Sequence, residues 1–237
     1  MDIRNMMTWS TYAGCLMALL LSGSVQAGLV INGTQVVYPS EAGEVTVQIT
    51  NNGKRAVLVQ SWLDTGNKDE TPDKITTPFA LTPPINRVEA GKGQSLRISA
   101  INTSVLRQDR ESLFWLNVLE IPGRPDKSGA QENYLQLAVR SRIKFFYRPA
   151  SLKDDIVKAP TQLIWSATNK GLTVTNPTPY HISLATIVVG NKTMDVDMVS
   201  PQDNRTFEQI KVPKGSTIVA SWIDDYGSIR SENFIVK

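Results

Sequence analysis

The chain has 237 residues, of which 41% are hydrophobic and 20% charged, with a formal net charge of +3. That balance belongs to a folded protein and excludes an intrinsically disordered one. The basic residues form no Lys/Arg run interleaved with aromatics, so no nucleic-acid partner is expected.

The first segment reads as a removable leader. Arg4 provides a positive start, a mostly apolar run follows from Tyr12 to Leu21, and Val25-Gln26-Ala27 supplies small residues before a cleavage point. This is the pattern of a secretory signal peptide over residues 1–27. The run is too short for a membrane span, and no later stretch approaches one, so no stable membrane insertion is expected after its removal. The single cysteine, Cys15, lies inside the leader. Most of the apolar run follows it, which argues against a lipid-attachment cysteine. The mature chain would then have no disulfide and no thiolate chemistry, even in an oxidising compartment.

From Gly28 onward the hydrophobic period is two. Val45, Val47 and Ile49 alternate with Thr46 and Gln48, Leu58 to Leu63 forms an apolar stretch, and Leu96 and Ile98 flank Arg97. A dense run covers Leu113 to Val118. Later come Leu163 to Trp165, Leu172 to Thr175, Ile182 to Val189, Met194 to Val199, Ile218 to Ile223 and Phe234 to Val236. Each is short and bounded by Gly, Pro, Asn, Asp or Ser, which predicts strands. Helix is expected only as single turns such as Ser104 to Leu106. The fold class is therefore all-β, built from sandwiches. The ~210 residues after the leader are close to twice an immunoglobulin-like domain. Two domains are predicted, 28–148 and 149–237, divided where an alternating strand meets Pro149.

That strand carries the most information. Its odd positions read Leu135, Leu137, Val139, Ser141, Ile143, Phe145 and Tyr147, and its even positions include Arg140, Arg142, Lys144 and Arg148. One face is almost entirely apolar and the other basic. At about 3.3 Å per residue, the run from Leu135 to Arg148 would span ~45 Å, longer than a usual strand. A strand of that length either lies wholly within its own sandwich or outruns it and exposes an edge.

Signals for catalysis are weak. His181, the only histidine, stands beside Tyr180 in a proline-rich turn. Gly91-Lys92-Gly93 lacks the third glycine of a phosphate-binding fingerprint. Asp154-Asp155 and Asp224-Asp225 read as turn chemistry. No enzyme activity, cofactor or metal is expected.

Several segments together resemble the periplasmic pilus (fimbrial) chaperones of the chaperone–usher pathway, the PapD-like family. Ile143-Lys144-Phe145-Phe146-Tyr147-Arg148-Pro149 is similar to their domain-joining signature, and Gln108-Asp109-Arg110-Glu111-Ser112-Leu113-Phe114-Trp115-Leu116-Asn117 to their other one. Thr82-Pro83-Pro84, Asn176-Pro177-Thr178-Pro179-Tyr180 and Asp224-Asp225-Tyr226-Gly227 fit in the same order. The connection from Ile121 to Asn133, with no cysteine pair nearby, resembles the short-loop branch.

The resemblance implies two immunoglobulin-like domains in an L shape and a periplasmic location. It implies a chaperone that caps fimbrial subunits by lending them a strand and delivers them to an outer-membrane usher. A subunit lacking its last strand leaves an open groove, which the donor strand fills. Leu135, Leu137, Val139, Ser141 and Ile143 match that donor strand. Lys144 matches the lysine that anchors the subunit's C-terminal carboxylate. The family's second anchor is an arginine, and here that position holds Gln35, which can donate a hydrogen bond but carries no charge. Arg140 or Arg142 could compensate. Glu111, Arg148 and Asp225 match an ion network that sets the interdomain angle. Whether the free protein self-associates over its apolar strand is left open.

The alternative is a two-domain surface adhesin or carbohydrate-binding protein. It would require an aromatic platform outside the core, whereas Trp62, Trp115, Trp165 and Trp222 all sit in strand-like runs.

Overall fold

A computed structural model describes residues 28–123, 136–152 and 155–237. Residues 1–27, where the leader is expected, Leu135 and most of the connection after Ile121 lie outside the described residues.

The first domain contains β1 (Leu29–Ile31), β2 (Gln35–Pro39), β3 (Glu44–Asn51), β4 (Val57–Asp64), β5 (Phe79–Thr82), β6 (Ile85–Val88), β7 (Gly93–Ala100), β8 (Ser112–Pro122) and β9 (Val139–Arg148). One sheet has the order β1-β3-β7-β5 and the other β2-β9-β8-β4-β6. The alternation read from the sequence supplies the filling between them. Val47, Ile49, Leu96 and Ile98 come from one sheet and Val59, Leu116, Phe145 and Tyr147 from the other, all buried. Phe79 sits among four rings, with centroids 5.3 Å from Tyr38, 5.2 Å from Phe114, 5.0 Å from Phe145 and 6.1 Å from Tyr147. The expected single turn is a 3-10 helix at Thr103–Val105.

The second domain contains β10 (Ile164–Thr168), β11 (Gly171–Asn176), β12 (Leu184–Val189), β13 (Lys192–Asp195), β14 (Asp203–Phe207), β15 (Thr217–Ile223) and β16 (Ile229–Ile235). Its sheets are β10-β11-β14 and β13-β12-β15-β16. Trp165, Leu172, Val174, Ile187, Ile218 and Ala220 fill the space between them. Gly171 opens β11 at φ +146, and a side chain there would overlap the Phe207 carbonyl oxygen. Only glycine fits such an approach. The proline-rich segment after β11 is organised by Asn176, which is fully buried. Its amide donates to the carbonyls of Tyr180 (2.7 Å) and Ser200 (3.0 Å), and its oxygen accepts from the Thr178 backbone N–H (3.0 Å) and hydroxyl (2.7 Å). A buried amide satisfied on both ends is a structural device.

Two features of the first domain prepare its edge. The chain changes sheets between β1 and β2, turning at Gly33 with φ +130. β1 pairs with β3, whereas β2 runs parallel to β9, in register from Gln35↔Lys144 to Pro39↔Arg148. On its other side, β9 pairs antiparallel with β8 from Glu120↔Val139 to Ser112↔Tyr147.

The sequence alternation predicts a strand from Leu135, but the ladder begins at Val139. Its neighbour β8 ends at Pro122, which has no N–H to offer. The Gln136 side chain instead donates to the Pro122 carbonyl at 2.6 Å.

Candidate functional site

β9 has partners on both sides only over its second half. From Lys144 to Tyr147 it lies between β2 and β8, but from Val139 to Ile143 it pairs with β8 alone. The edge facing away from β8 carries no strand there among the described residues. An unpaired edge is a template for another chain. The side chains follow the same division. Phe145 and Tyr147 are buried in the core, and Ile143 packs partly against it. Ser141 is half-buried. On the same face, Val139 is 57% and Leu137 63% exposed. The apolar row thus starts inside the sandwich and runs out of it beside an open edge.

Three bases of β9, Arg142, Lys144 and Arg148, meet four carboxylates. Arg142 binds Asp64 through two contacts, Nη2–Oδ1 at 2.5 Å and Nε–Oδ2 at 3.1 Å, and lies 4.3 Å over the Trp115 ring. Asp64 is buried and also accepts from Asn117 (2.7 Å) and the Gly66 N–H (2.6 Å). Burial pushes its carboxyl up, but these donors outweigh burial and hold it below the ordinary aspartate value. Arg142 is therefore committed within the first domain and does not compensate at the Gln35 position.

Lys144 is recessed, with its side chain 18% exposed, and its Nζ lies 3.7 Å from Asp197 Oδ1. Burial pulls the ammonium below the ordinary lysine value. Asp197 opposes that shift, and nearby Arg205 adds to it. Gln35 points elsewhere. Its Nε2 donates to the Asp224 carbonyl (3.1 Å), and its Oε1 accepts from the Ser183 hydroxyl (3.0 Å).

Glu111, Arg148 and Asp225 come together at the domain junction. Arg148 Nε donates to Glu111 at 2.6 Å, and its two terminal nitrogens grip Asp225 at 2.6 and 3.0 Å. Burial lowers the guanidinium pKa, but the bonds to Asp225 and the charge of Glu111 outweigh it, leaving Arg148 above the ordinary arginine value. The other Glu111 oxygen accepts from the His181 backbone N–H at 2.8 Å and faces His181 Nδ1 at 3.3 Å. The His181 ring stacks on Phe146 of β9 at 5.1 Å. The lone histidine is thus a joint between domains, a role its proline-rich turn gave no hint of. Asp64, Asp197 and Arg205 also escaped the sequence reading, because spacing alone does not reveal which distant carboxylate meets which base.

A cleft of about 540 Å³ opens at the junction, with Gln35, Phe146 and Arg148 on one wall and His181, Ser183 and Trp222 on the other. Of the tryptophans named for the adhesin reading, Trp165 and Trp222 are buried and Arg142 covers Trp115, which leaves the half-buried Trp62.

Comparison with known proteins agrees over both domains. Residues 28–153 match the pili and flagellar-assembly chaperone PapD N-terminal domain, and residues 158–234 match the pili assembly chaperone PapD C-terminal domain. The chaperone protein MrkB of Klebsiella pneumoniae is 43% identical over 217 residues, covering 88% of this chain and 91% of its own. The CupB2 chaperone of Pseudomonas aeruginosa is 34% identical with a TM-score of 0.75, covering 88% of this chain and 100% of its own. The Salmonella enterica SafB chaperone, solved in complex with the SafA pilin, is 25% identical with a TM-score of 0.76, covering 90% of this chain and 98% of its own.

Proposed function

Because the chain belongs to the PapD-like family of pilus-assembly chaperones, we propose that it holds fimbrial subunits by lending them the open half of β9. The family is non-enzymatic and works in the periplasm, and its members bind the subunits of surface fibres. Residues 1–27 are the leader that takes the chain there and is then removed, and an outer-membrane usher receives the loaded complex.

One observation carries the mechanism: the exposed row of Leu137 and Val139 lies beside an edge that is unpaired from Val139 to Ile143. A subunit groove that lacks a strand presents the complement, with unpaired backbone groups and an open core. Strand addition satisfies the backbone, and alternate side chains fill the groove. Leu135, Leu137, Val139 and Ser141 form the lent row, with Ile143 rooting it in the chaperone's own core. Each large apolar side chain buried this way contributes about 1.5–3 kcal/mol.

The open edge ends where β2 takes over, opposite Lys144. A subunit strand running parallel to β9 therefore brings its C-terminal carboxylate to Lys144, the charged anchor, with Gln35 as the neutral residue beside it. Glu111, Arg148 and Asp225 hold the two domains at the angle that keeps this corner open. The boundary falls after Arg148, where β9 ends and Pro149 begins a turn.

Co-expression with a fimbrial subunit in the periplasm tests the reading. Leu137→Glu should abolish recovery of the subunit while leaving the chaperone folded. Subunit recovery equal to wild type would refute strand lending.

A further inference from the structure

We propose that Lys144 and Arg205 together form a chain-end carboxylate site spanning the two domains, and that Asp197 occupies it as an internal carboxylate until a subunit's C terminus displaces it. This rests on the reading of Lys144 as the anchor and extends it to the second domain.

Arg140 is exposed, four residues back along β9 from Lys144, and the candidates closer to Lys144 are already committed. Gln35 is uncharged, and both ends of its amide are bonded to Ser183 and Asp224. Arg142 is held by Asp64, and Arg148 by Glu111 and Asp225. A single charged partner would leave a recessed ammonium to bind a carboxylate alone.

The second domain supplies a second cation. Asp197 lies in the segment between β13 and β14, and Arg205 lies on β14. Asp197 Oδ1 is 3.7 Å from Lys144 Nζ, and its Oδ2 is 3.2 Å from Arg205 Nη1. One carboxylate thus bridges a base from each domain. Oδ1 also accepts from the Met198 N–H at 2.7 Å, and Arg205 Nη1 donates to the Met198 carbonyl at 2.9 Å, so the segment and the arginine are clipped together.

The exposures show which member can leave. Lys144 is recessed at 18%, whereas Asp197 is 61% and Arg205 43% exposed. Ion pairs made by an exposed carboxylate are weak and readily exchanged. A chain-end carboxylate offers the same two oxygens and the same charge. It also arrives already held by the backbone ladder along β9, so it competes at high effective concentration. The ligand class is an extended polypeptide ending in a free carboxylate. Asp197 keeps the recessed lysine paired while the protein is empty, since a desolvated cation without a partner is costly.

The test uses a synthetic extended peptide of alternating Val and Thr in two forms, with a free C-terminal carboxylate and with an amidated one, titrated against the full protein by fluorescence anisotropy. The wild type should prefer the carboxylate form. Arg205→Gln should reduce that preference severalfold, and Arg205→Lys should retain most of it. Asp197→Asn should raise affinity for the carboxylate form about threefold, the scale of an exposed ion pair, and leave the amidated form unchanged. Thermal melts check folding, and Asp197→Ser replaces Asp197→Asn if that variant melts early. If Lys144→Ala removes the preference while the Arg205 and Asp197 variants leave it intact, the two-domain site is wrong and the anchor reading stands. If the wild type shows no preference, both are wrong.

Discussion

Gln35 and Lys144 face each other in the parallel register of β2 and β9, yet their side chains reach different parts of the second domain. Gln35 bonds Ser183 and the Asp224 carbonyl, while Lys144 meets Asp197. The neutral member of the pair thus ties the domains together, and the charged member remains with an exchangeable partner.

Lys144→Ala should lower subunit recovery sharply in periplasmic co-expression without unfolding the chaperone. Its Asp197 contact involves an exposed carboxylate, and such pairs contribute at most about 1 kcal/mol to stability. Chemical denaturation separates the two readouts. A variant that unfolds early would mark Lys144 as structural.

Arg148→Ala should be the most damaging of the changes at the junction. It leaves Glu111, 1% exposed at its side chain, without its guanidinium partner. Stranding a buried charge costs about 3–5 kcal/mol. Denaturant unfolding should show a loss on that scale, and small-angle scattering should show the domains no longer held at one angle. A loss below about 1 kcal/mol, as for a surface pair, would mean that the cluster is decorative.

Asp64 predicts an acid effect of defined sign. Its folded-state carboxyl lies below the ordinary value, so its ionised form stabilises the fold. That contribution is complete above the unfolded pKa of about 4 and is lost as pH falls through the lower folded value. Asp64→Asn should therefore be less stable than wild type near neutrality, and the gap should close progressively below about pH 4. Urea midpoints measured across that range check it. A gap independent of pH would show that the carboxylate charge is not what holds Arg142.

The strands that form the cores were legible because their alternation is strong. β3, β4, β8, β11 and β15 each place several buried residues on one face. β14 and β16 are edge strands in which a single residue, Phe207 or Phe234, reaches the core, so β14 was not read and β16 was read only at its end. At the site, the alternating residues of β9 were legible for the same reason, and Glu111, Arg148 and Asp225 through family resemblance. The exit of the row from its own sandwich was not, because alternation cannot show where the neighbouring strand stops. The partners Asp64, Asp197 and Arg205 depend on contacts between residues far apart in the chain.

Strand lending is tested most directly by amide hydrogen exchange over residues 139 to 143, comparing the free chaperone with its complex with a fimbrial subunit. In the free protein, the amides facing away from β8 should exchange fast, and in the complex they should become protected together with those of the paired subunit strand. Unchanged exchange at these amides in a stable complex would show that the subunit is held by some other surface.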